Sequence, residues 1–596
     1  MTTTLLEKSV DPMSDPGTKA VRSVKDTSGG KRFTLFSGVS LALAIVFVLL
    51  AMYPIVTVLL RLFFTDGKFD PSVFGHVLSL PGLWQMLLNT VVIVIVSGMI
   101  AVVCGSVLAW LVVRTNARIK WLGSVLPLLP FVLPALVGTM GWTMLLSPKT
   151  GLINILLRGA VNWTGAGLTE GPLDIYSYGG MIFIYTIYMI PFTFLLVSAG
   201  LENADSQLEE QSRVSGAGVV RTLFTVTIPS IRPSLGAAML LTVFFGFAFF
   251  AGPAVLSSTS GIDILSVRIA NILSFSYPAD TGGAVGLSTF MLIAVAIVWW
   301  FQTRVLRSSN YSTISGRGKA TEIELGRWRW LGRLVIVLYV VISAVLPALA
   351  LIWVSLRGYW SFDWNFSGLS LTQYTTVLFG DAFSSKALGT SLLLAVIGAT
   401  IGMIVAAVIA RFVRSSPGRS GRVVDVLIKI GAPIPAVVLG VGVLLAFGGA
   451  PWRLAGTFGI LLLAYLVHFM PQATVNADAA AAQISPQLME ASHISGAGDG
   501  RTFLRISLPL MLPDLIAGWS LLFLWMLGEI NASIILAGTS NPVLGEQMYL
   551  LYFQGYFGKL AALAIVVTII NILVIWAANF VARLLRGGRR VRARTA

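Results

Sequence analysis

The chain is poor in charge. Asp, Glu, Lys and Arg together make up 11% of its 596 residues, whereas soluble globular chains carry about 25%. Such a chain cannot clothe a water-facing surface, which excludes a soluble enzyme and a disordered scaffold. It has one cysteine, Cys104, inside an apolar run, so no intrachain disulfide forms and a secreted disulfide module is excluded as well. His76, His468 and His493 are the only histidines and stand far apart. They make no metal-ligand spacing, so no metal site and no catalytic centre is expected. A phosphate-cradling loop of the form G-x-x-x-x-G-K-[ST] is also missing: Gly30-Lys31 is followed by Arg32, Gly67-Lys68 by Phe69 and Gly318-Lys319 by Ala320. The chain is therefore expected to hold no nucleotide or other cofactor of its own.

What is present is apolar. Hydrophobic residues are 56% of the chain and the mean hydropathy is +0.86, the composition of an all-α polytopic membrane protein whose solvent is the bilayer. Spanning the hydrocarbon takes about 20 mostly apolar residues. Twelve such runs lie near 36–63, 88–113, 121–147, 177–200, 234–256, 283–303, 331–356, 387–413, 425–448, 457–480, 513–537 and 559–582. Residues 1–34 are polar and lack the apolar core of a cleavable signal, so a disordered cytoplasmic tail is expected there.

The formal charge of +16 points to orientation, not to nucleic acid. With the N-terminus inside, the segments facing the cytoplasm and their flanks hold 32 of the 41 Lys and Arg, as the positive-inside bias requires. Both termini are then cytoplasmic. The expected organisation is a tail at 1–34, a first half at 35–303, a polar basic linker at 304–330, a second half at 331–586 and a basic tail at 587–596.

The halves repeat. Residues 185–235 align without gaps on 465–515 at an offset of 280, with Tyr185/Tyr465, Pro191/Pro471, Gly216/Gly496, Arg221/Arg501 and Pro229/Pro509 among the identities. Earlier in each half, LLNTVVIVIVSG at 87–98 meets ALGTSLLLAVIG at 387–398. Six spans return each half to the same side, so the repeats are parallel. Lipid-facing spans resemble one another through composition alone, but a polar loop does not, and the repeated loop between spans four and five is the most informative feature. EQSRVSGAG (210–218) and EASHISGAG (490–498) each end a polar helical stretch in Ser-Gly-Ala-Gly. Gly216 and Gly496 suit a left-handed position after a helix C-terminus. A second short helix is expected to follow, stopped by Pro229 and Pro509, with Pro233 and Pro513 near the first turn of the next span. Two copies facing one compartment favour a paired docking site over a helix that merely packs beneath the bundle.

The segments EQSRVSGAGVVRTLFTVTIP and EASHISGAGDGRTFLRISLP resemble the cytoplasmic Glu-Ala-Ala…Gly…Leu-Pro signature of permease subunits in binding-protein-dependent ABC importers of type I. Gln211, Ser212, Ser492 and Ile228 depart mildly from it. The fused halves are similar to permeases for ferric iron, thiamine and related solutes, and 528–566 is similar to the ferric-iron branch. The resemblance implies a bacterial inner-membrane permease that moves a small solute, ferric iron in the first place and thiamine, polyamine or phosphonate as alternatives. It also implies that Glu210, Ser215, Gly216, Ala217, Gly218 and Pro229, with Glu490, Ser495, Gly496, Ala497, Gly498 and Pro509, form loops coupled to two copies of a cytoplasmic ATPase. ATP is bound by that partner, and an extracytoplasmic binding protein delivers the solute. An ion-coupled secondary transporter also has two six-span halves but needs intramembrane acids, of which Glu529 is the clearest here. A channel, a membrane enzyme or an exporter fits less well, for want of a filter, clustered catalytic residues or long intracellular extensions. Glu529, with Asn531 nearby, is either a pathway residue or a hydrogen-bonded acid that fixes packing. Its counterpart at the 280 offset is Phe249.

Overall fold

In lipid each backbone N–H and C=O must find its partner within the protein, which leaves helices as the economical way to cross. The computed structural model describes residues 35–65, 68–119, 133–165, 167–308, 322–361, 366–415, 418–429 and 434–595, without the side chains of 305–308, 419–420, 429 and 587–595. The tail expected at 1–34 and most of the linker expected at 304–330 lie outside these residues.

Among the described residues, nine helices are long and apolar enough to cross a membrane, and a tenth crossing is a bent pair. In the first half these are span one (Leu35–Arg61), span two (Leu83–Arg114), span four (Tyr178–Asn203), the bent span five (Val219–Ser230 with Arg232–Ala248) and span six (Thr281–Arg304). The second half supplies span seven (Gly326–Arg357), span eight (Ala382–Ser415), span ten (Phe458–Ala482), span eleven (Asp499–Leu527) and span twelve (Phe557–Arg586). The third run of each half is described as a twelve-residue apolar helix, Ala135–Leu146 and Ala436–Phe447. The residues just before each, 120–132 and 430–433, lie outside the described set. The only sheet among the described residues is a ribbon of two two-residue strands, Phe64–Thr65 with Lys68–Phe69.

The structure departs from the sequence reading at three places. The fifth and eleventh runs do not continue to 256 and 537: their helices end at Ala248 and Leu527, and short helices Ala251–Ser260 and Ser533–Leu536 follow. The broken backbone is satisfied by serines, Ser266 Oγ donating to the Phe249 carbonyl at 3.0 Å from the returning chain and Ser533 Oγ donating to the Glu529 carbonyl at 3.0 Å from four residues on. Pro509 does not stop a helix. It and Pro229 each follow a single π turn, Leu223–Thr227 and Phe503–Ser507; the helix runs on past Pro509 to Leu527 but ends at Ser230, one residue after Pro229. A proline removes one N–H from the ladder, and a π turn is one way for a helix to absorb such a gap. Finally, Pro233 opens Arg232–Ala248 after a 71° bend, whereas Pro513 lies inside Leu508–Leu527.

The halves are interlocked. Span one packs on Ala436–Phe447 of the second half, and span seven packs on Ala135–Leu146 of the first. Each crossing is seated by a glycine meeting a proline. A Cβ on Gly442 would lie 2.8 Å from the Pro54 carbonyl oxygen, and one on Gly141 would lie 2.7 Å from that of Pro347. Small residues let backbones approach where lipid offers no hydrophobic drive between helices.

Candidate functional site

Two features stand out, a pair of loops at one end of the bundle and a cavity between the halves. In the first loop the helix Ser206–Val214 is capped by Asp205, whose carboxylate accepts from the Gln207 N–H at 2.9 Å. It ends with the Gly216 N–H bonded to the Arg213 carbonyl at 2.9 Å and the Ala217 N–H to that of Ser212 at 3.1 Å. The second loop repeats this: Gly496 bonds to His493 at 3.0 Å and Ala497 to Ser492 at 3.1 Å. These are the paired bonds of a Schellman C-cap, which places the glycine in the left-handed region. Gly216 has φ +85° and Gly496 φ +78°. The serines that depart from the signature also repeat: Ser212 Oγ meets Thr222 Oγ1 at 3.0 Å, and Ser492 Oγ meets Thr502 Oγ1 at 2.8 Å. Each hydroxyl pair ties the helix before the turn to the helix after it.

The loop tips present apolar side chains at matching positions. Val214 and Ile494 are 89% and 87% exposed, and Phe224 and Leu504 are 65% and 63% exposed. Ser215, Gly216 and Gly218 are exposed, as are Ser495, Gly496 and Gly498, while Ala217 and Ala497 are half-buried. Glu490 and Pro509 are exposed, Glu210 and Pro229 half-buried. Such a surface, polar around a few protruding apolar groups, is suited to docking a partner.

Anchoring of the loops is not symmetric. Glu209 is buried and faces Arg114 from the end of span two, Nε to Oε1 at 3.7 Å. Thr227 Oγ1 donates to the same carboxylate at 2.9 Å, and Arg114 Nη2 donates to the Ala204 carbonyl at 3.1 Å. At the 280 offset the second loop has Met489 in place of Glu209, with Ser507 Oγ 3.5 Å from its sulfur. The second loop leans instead on span one, where Phe36 and Phe503 lie 5.3 Å apart. Glu209 escaped the sequence reading because it is not repeated; its neighbour Glu210 is.

The cavity, about 290 Å³, is lined by both halves. Its lining comes in matched positions at the 280 offset: Tyr188 with His468, Phe192 with Gln472, Phe245 with Trp525, and Phe249 with Glu529. The first half thus builds an aromatic wall, with Phe192 and Phe245 stacked at 4.1 Å and Phe249 5.7 Å from Tyr188. The facing wall carries the polar groups, His468, Gln472, Glu529, Asn531 and Asn571, among apolar ones. Glu529 is buried at the break after span eleven, and its oxygens accept from the Ala532 N–H at 2.8 Å and the Ser533 N–H at 3.1 Å. Asn531 lines the same cavity, half-buried. The sequence signal for His468 and Gln472 was a polar side chain inside the tenth apolar run, at the 280 register from Tyr188 and Phe192. Among the described residues no three His, Cys, Asp or Glu are grouped to hold a metal ion.

A duplicated helical bundle with a cavity between its halves and a matched pair of surface loops is the architecture of a transmembrane permease. The sequence matches the family described as binding-protein-dependent transport system inner membrane component twice, over residues 101–310 and 398–587, and the chain belongs to that family. It is a multi-pass inner-membrane permease of an ATP-driven importer, a class that works with an ATPase and a solute-binding protein and is not itself an enzyme. The chain is 24% identical to a protein named putative ferric transport system permease protein FbpB 1 of Haemophilus influenzae, over 88% of this chain and 80% of that one. It is also 24% identical to the ferric transport system permease protein FbpB of Actinobacillus pleuropneumoniae, over 86% and 73%. A spermidine/putrescine transport system permease protein, PotB of Escherichia coli, is 23% identical over 38% of this chain and 80% of its own length. A crystal structure of a bacterial ABC transporter that imports the acidic polysaccharide alginate aligns with 43% of this chain and 96% of its own at 16% identity, with a TM-score of 0.34.

Proposed function

We propose that this permease carries ferric iron inward, released by an extracytoplasmic binding protein and driven by two copies of a cytoplasmic ATPase that bind the ATP. The observation that carries the energetic half of this reading is the loop pair: two Schellman turns at matched positions, each presenting an exposed apolar residue two positions before the glycine. Two equivalent loops call for two equivalent sockets. The iron assignment is supported by the names of the full-length relatives. A polyamine is the second reading, supported by the shorter PotB relatives and by an aromatic wall that suits an organic cation.

Deleting the gene should lower uptake of radiolabelled ferric iron under iron limitation and leave spermidine uptake unchanged. The reverse pattern would replace iron with a polyamine. A tagged chain should retain an ATPase subunit on mild purification. For orientation, with both termini and the linker inside, single cysteines at Ser312 and Ser540, introduced after removing Cys104, should label oppositely with an impermeant thiol reagent in intact cells. Labelling at 312 from outside would refute the topology.

A further inference from the structure

At the bundle end that carries the first loop, the chain leaving span two and the chain entering span seven enclose a second cavity of about 440 Å³. It is lined by Asn116, Arg118, Glu322, Arg329 and Arg333. Backbone contacts set its walls. The Ile323 N–H donates to the Arg114 carbonyl at 2.8 Å, the Asn116 N–H donates to the Ile323 carbonyl at 3.1 Å, and the Leu325 N–H donates to Asn116 Oδ1 at 3.2 Å. Gly332 brings the incoming helix close, since a Cβ there would lie 2.8 Å from that of Ala117. Arg329 and Arg333, one turn apart, thereby share a space with Arg118.

Three guanidinium groups face one carboxylate. Among the described residues none of the three is ion-paired, and Arg333 Nε is buried without a hydrogen-bond partner. The cavity therefore holds an uncompensated charge suited to an anion with several acceptor oxygens. Its rim points to the source of that anion. Trp328 and Trp330 are 71% and 61% exposed, and Leu331, Leu334 and Val337 continue an exposed apolar face along the same helix. The Arg329 and Arg333 guanidinium carbons lie 5.4 and 4.8 Å from the centre of the Trp330 ring. Exposed tryptophans at the end of a span sit at headgroup depth, and acyl chains would cover the leucines below them.

We propose that this cavity binds the phosphate of an anionic phospholipid headgroup, with Arg118, Arg329 and Arg333 as its ligands. Free phosphate offers the same oxygens but has no use for the apolar face. The bound headgroup would clamp the end of span two to the start of span seven, where the Thr115–Ile323 backbone bridge already joins the halves. Arg114, which anchors the first loop, is the residue before that bridge.

The test uses the purified, delipidated full-length chain in detergent and its thermal unfolding midpoint. Dioleoyl phosphatidylglycerol should raise the midpoint saturably, while dioleoyl phosphatidylcholine and inorganic phosphate should not. Each of Arg118→Gln, Arg329→Gln and Arg333→Gln should raise the half-saturating phosphatidylglycerol concentration about fivefold, the weight of one basic residue near an anionic headgroup. The triple variant should abolish the response, and Glu322→Gln should lower the half-saturating concentration. An equal response to phosphatidylcholine, or to inorganic phosphate, would overturn the lipid assignment. If the triple variant does not fold, unchanged half-saturation in the three single variants overturns the site.

Discussion

Phe249 and Glu529 stand 280 residues apart in the chain and occupy one position in the repeat, each just past the end of a broken span on the wall of the central cavity. Beside each is the matching tyrosine of span four or ten. Tyr185 packs its ring on Phe249 at 5.0 Å, edge to face, while the Tyr465 hydroxyl lies by Glu529 and Ser533. One scaffold thus holds an aromatic ring on one wall of the cavity and a carboxylate on the other. The repeat supplies the geometry, and the substitution supplies the chemistry.

Glu529→Gln should lower transport while the amount of protein in the membrane stays normal. The carboxylate accepts two backbone N–H bonds, and an amide can serve only one of them with its oxygen. The loss is about 1–3 kcal/mol for a buried donor left without its acceptor, read as a lower unfolding midpoint. Normal transport with a lowered midpoint would assign Glu529 to packing alone.

Gly216 and Gly496 should accept asparagine better than valine. Neither has an atom within 4 Å of where a Cβ would stand, so a small side chain meets only the cost of positive φ, about 1 kcal/mol or more, which asparagine bears best. Gly216→Asp and Gly496→Asp should each reduce transport with insertion intact, and the double variant should also shed the ATPase during purification. Wild-type transport in the double variant would remove these loops from the coupling path.

Breaking the buried Arg114–Glu209 pair should be costly from either side. Glu209→Met or Arg114→Leu leaves the partner charge buried, a loss of about 3–5 kcal/mol, seen as poor recovery of folded protein. The double change should recover part of it, because Met489 shows that the repeat tolerates methionine in this place. Additive losses in the double-mutant cycle would mean that the two residues do not interact.

Asp381, just ahead of span eight, is partly buried, which pushes its carboxyl upward, but the Ser384 N–H and Lys559 at 3.2 Å outweigh this and hold it below the ordinary aspartate value. A depressed folded-state pKa stabilises above the unfolded pKa and is lost as pH falls through the folded one. This pair should therefore leave the unfolding midpoint flat between pH 8 and 5, on an aspartate reference of about 3.9, and weaken it only in more acid solution. Asp381→Asn should lower the neutral midpoint by no more than about 1 kcal/mol of stability and flatten the acid limb. A midpoint shift centred near pH 6 that disappears in Asp381→Asn would contradict the assignment.

Much of this is legible in the sequence. The glycine turns were visible at Ser-Gly-Ala-Gly because only a repeated, polar, backbone-demanding motif survives where composition cannot explain it. The helix end just past Pro229 was legible, but the helix running on past Pro509 was not, since a π turn carries no residue signature of its own. The span break after Ala248 was hidden because Phe249 and Phe250 are as apolar as the helix they end, whereas after Leu527 the polar residues Glu529 and Asn531 marked the place without showing that the helix ends there. The freed Phe249 carbonyl is taken up by Ser266, whose role depends on where the chain returns, and the Glu529 carbonyl by Ser533, four residues on.

The sequence by itself determined that the chain lives in a bilayer, that it is a doubled unit of parallel halves, and that each half exposes a loop of the same backbone shape. These follow from hydropathy, from charge bias and from backbone demands that neighbouring residues express. The tertiary structure alone decided that span one serves the second half and span seven the first, through Pro54 on Gly442 and Pro347 on Gly141. It also decided that Glu209 pairs with Arg114 while its counterpart is methionine. The reason is physical: lipid and protein interior are equally apolar to a helix face. Partner choice therefore leaves no mark on hydropathy and is set by close fit between backbones far apart in the chain.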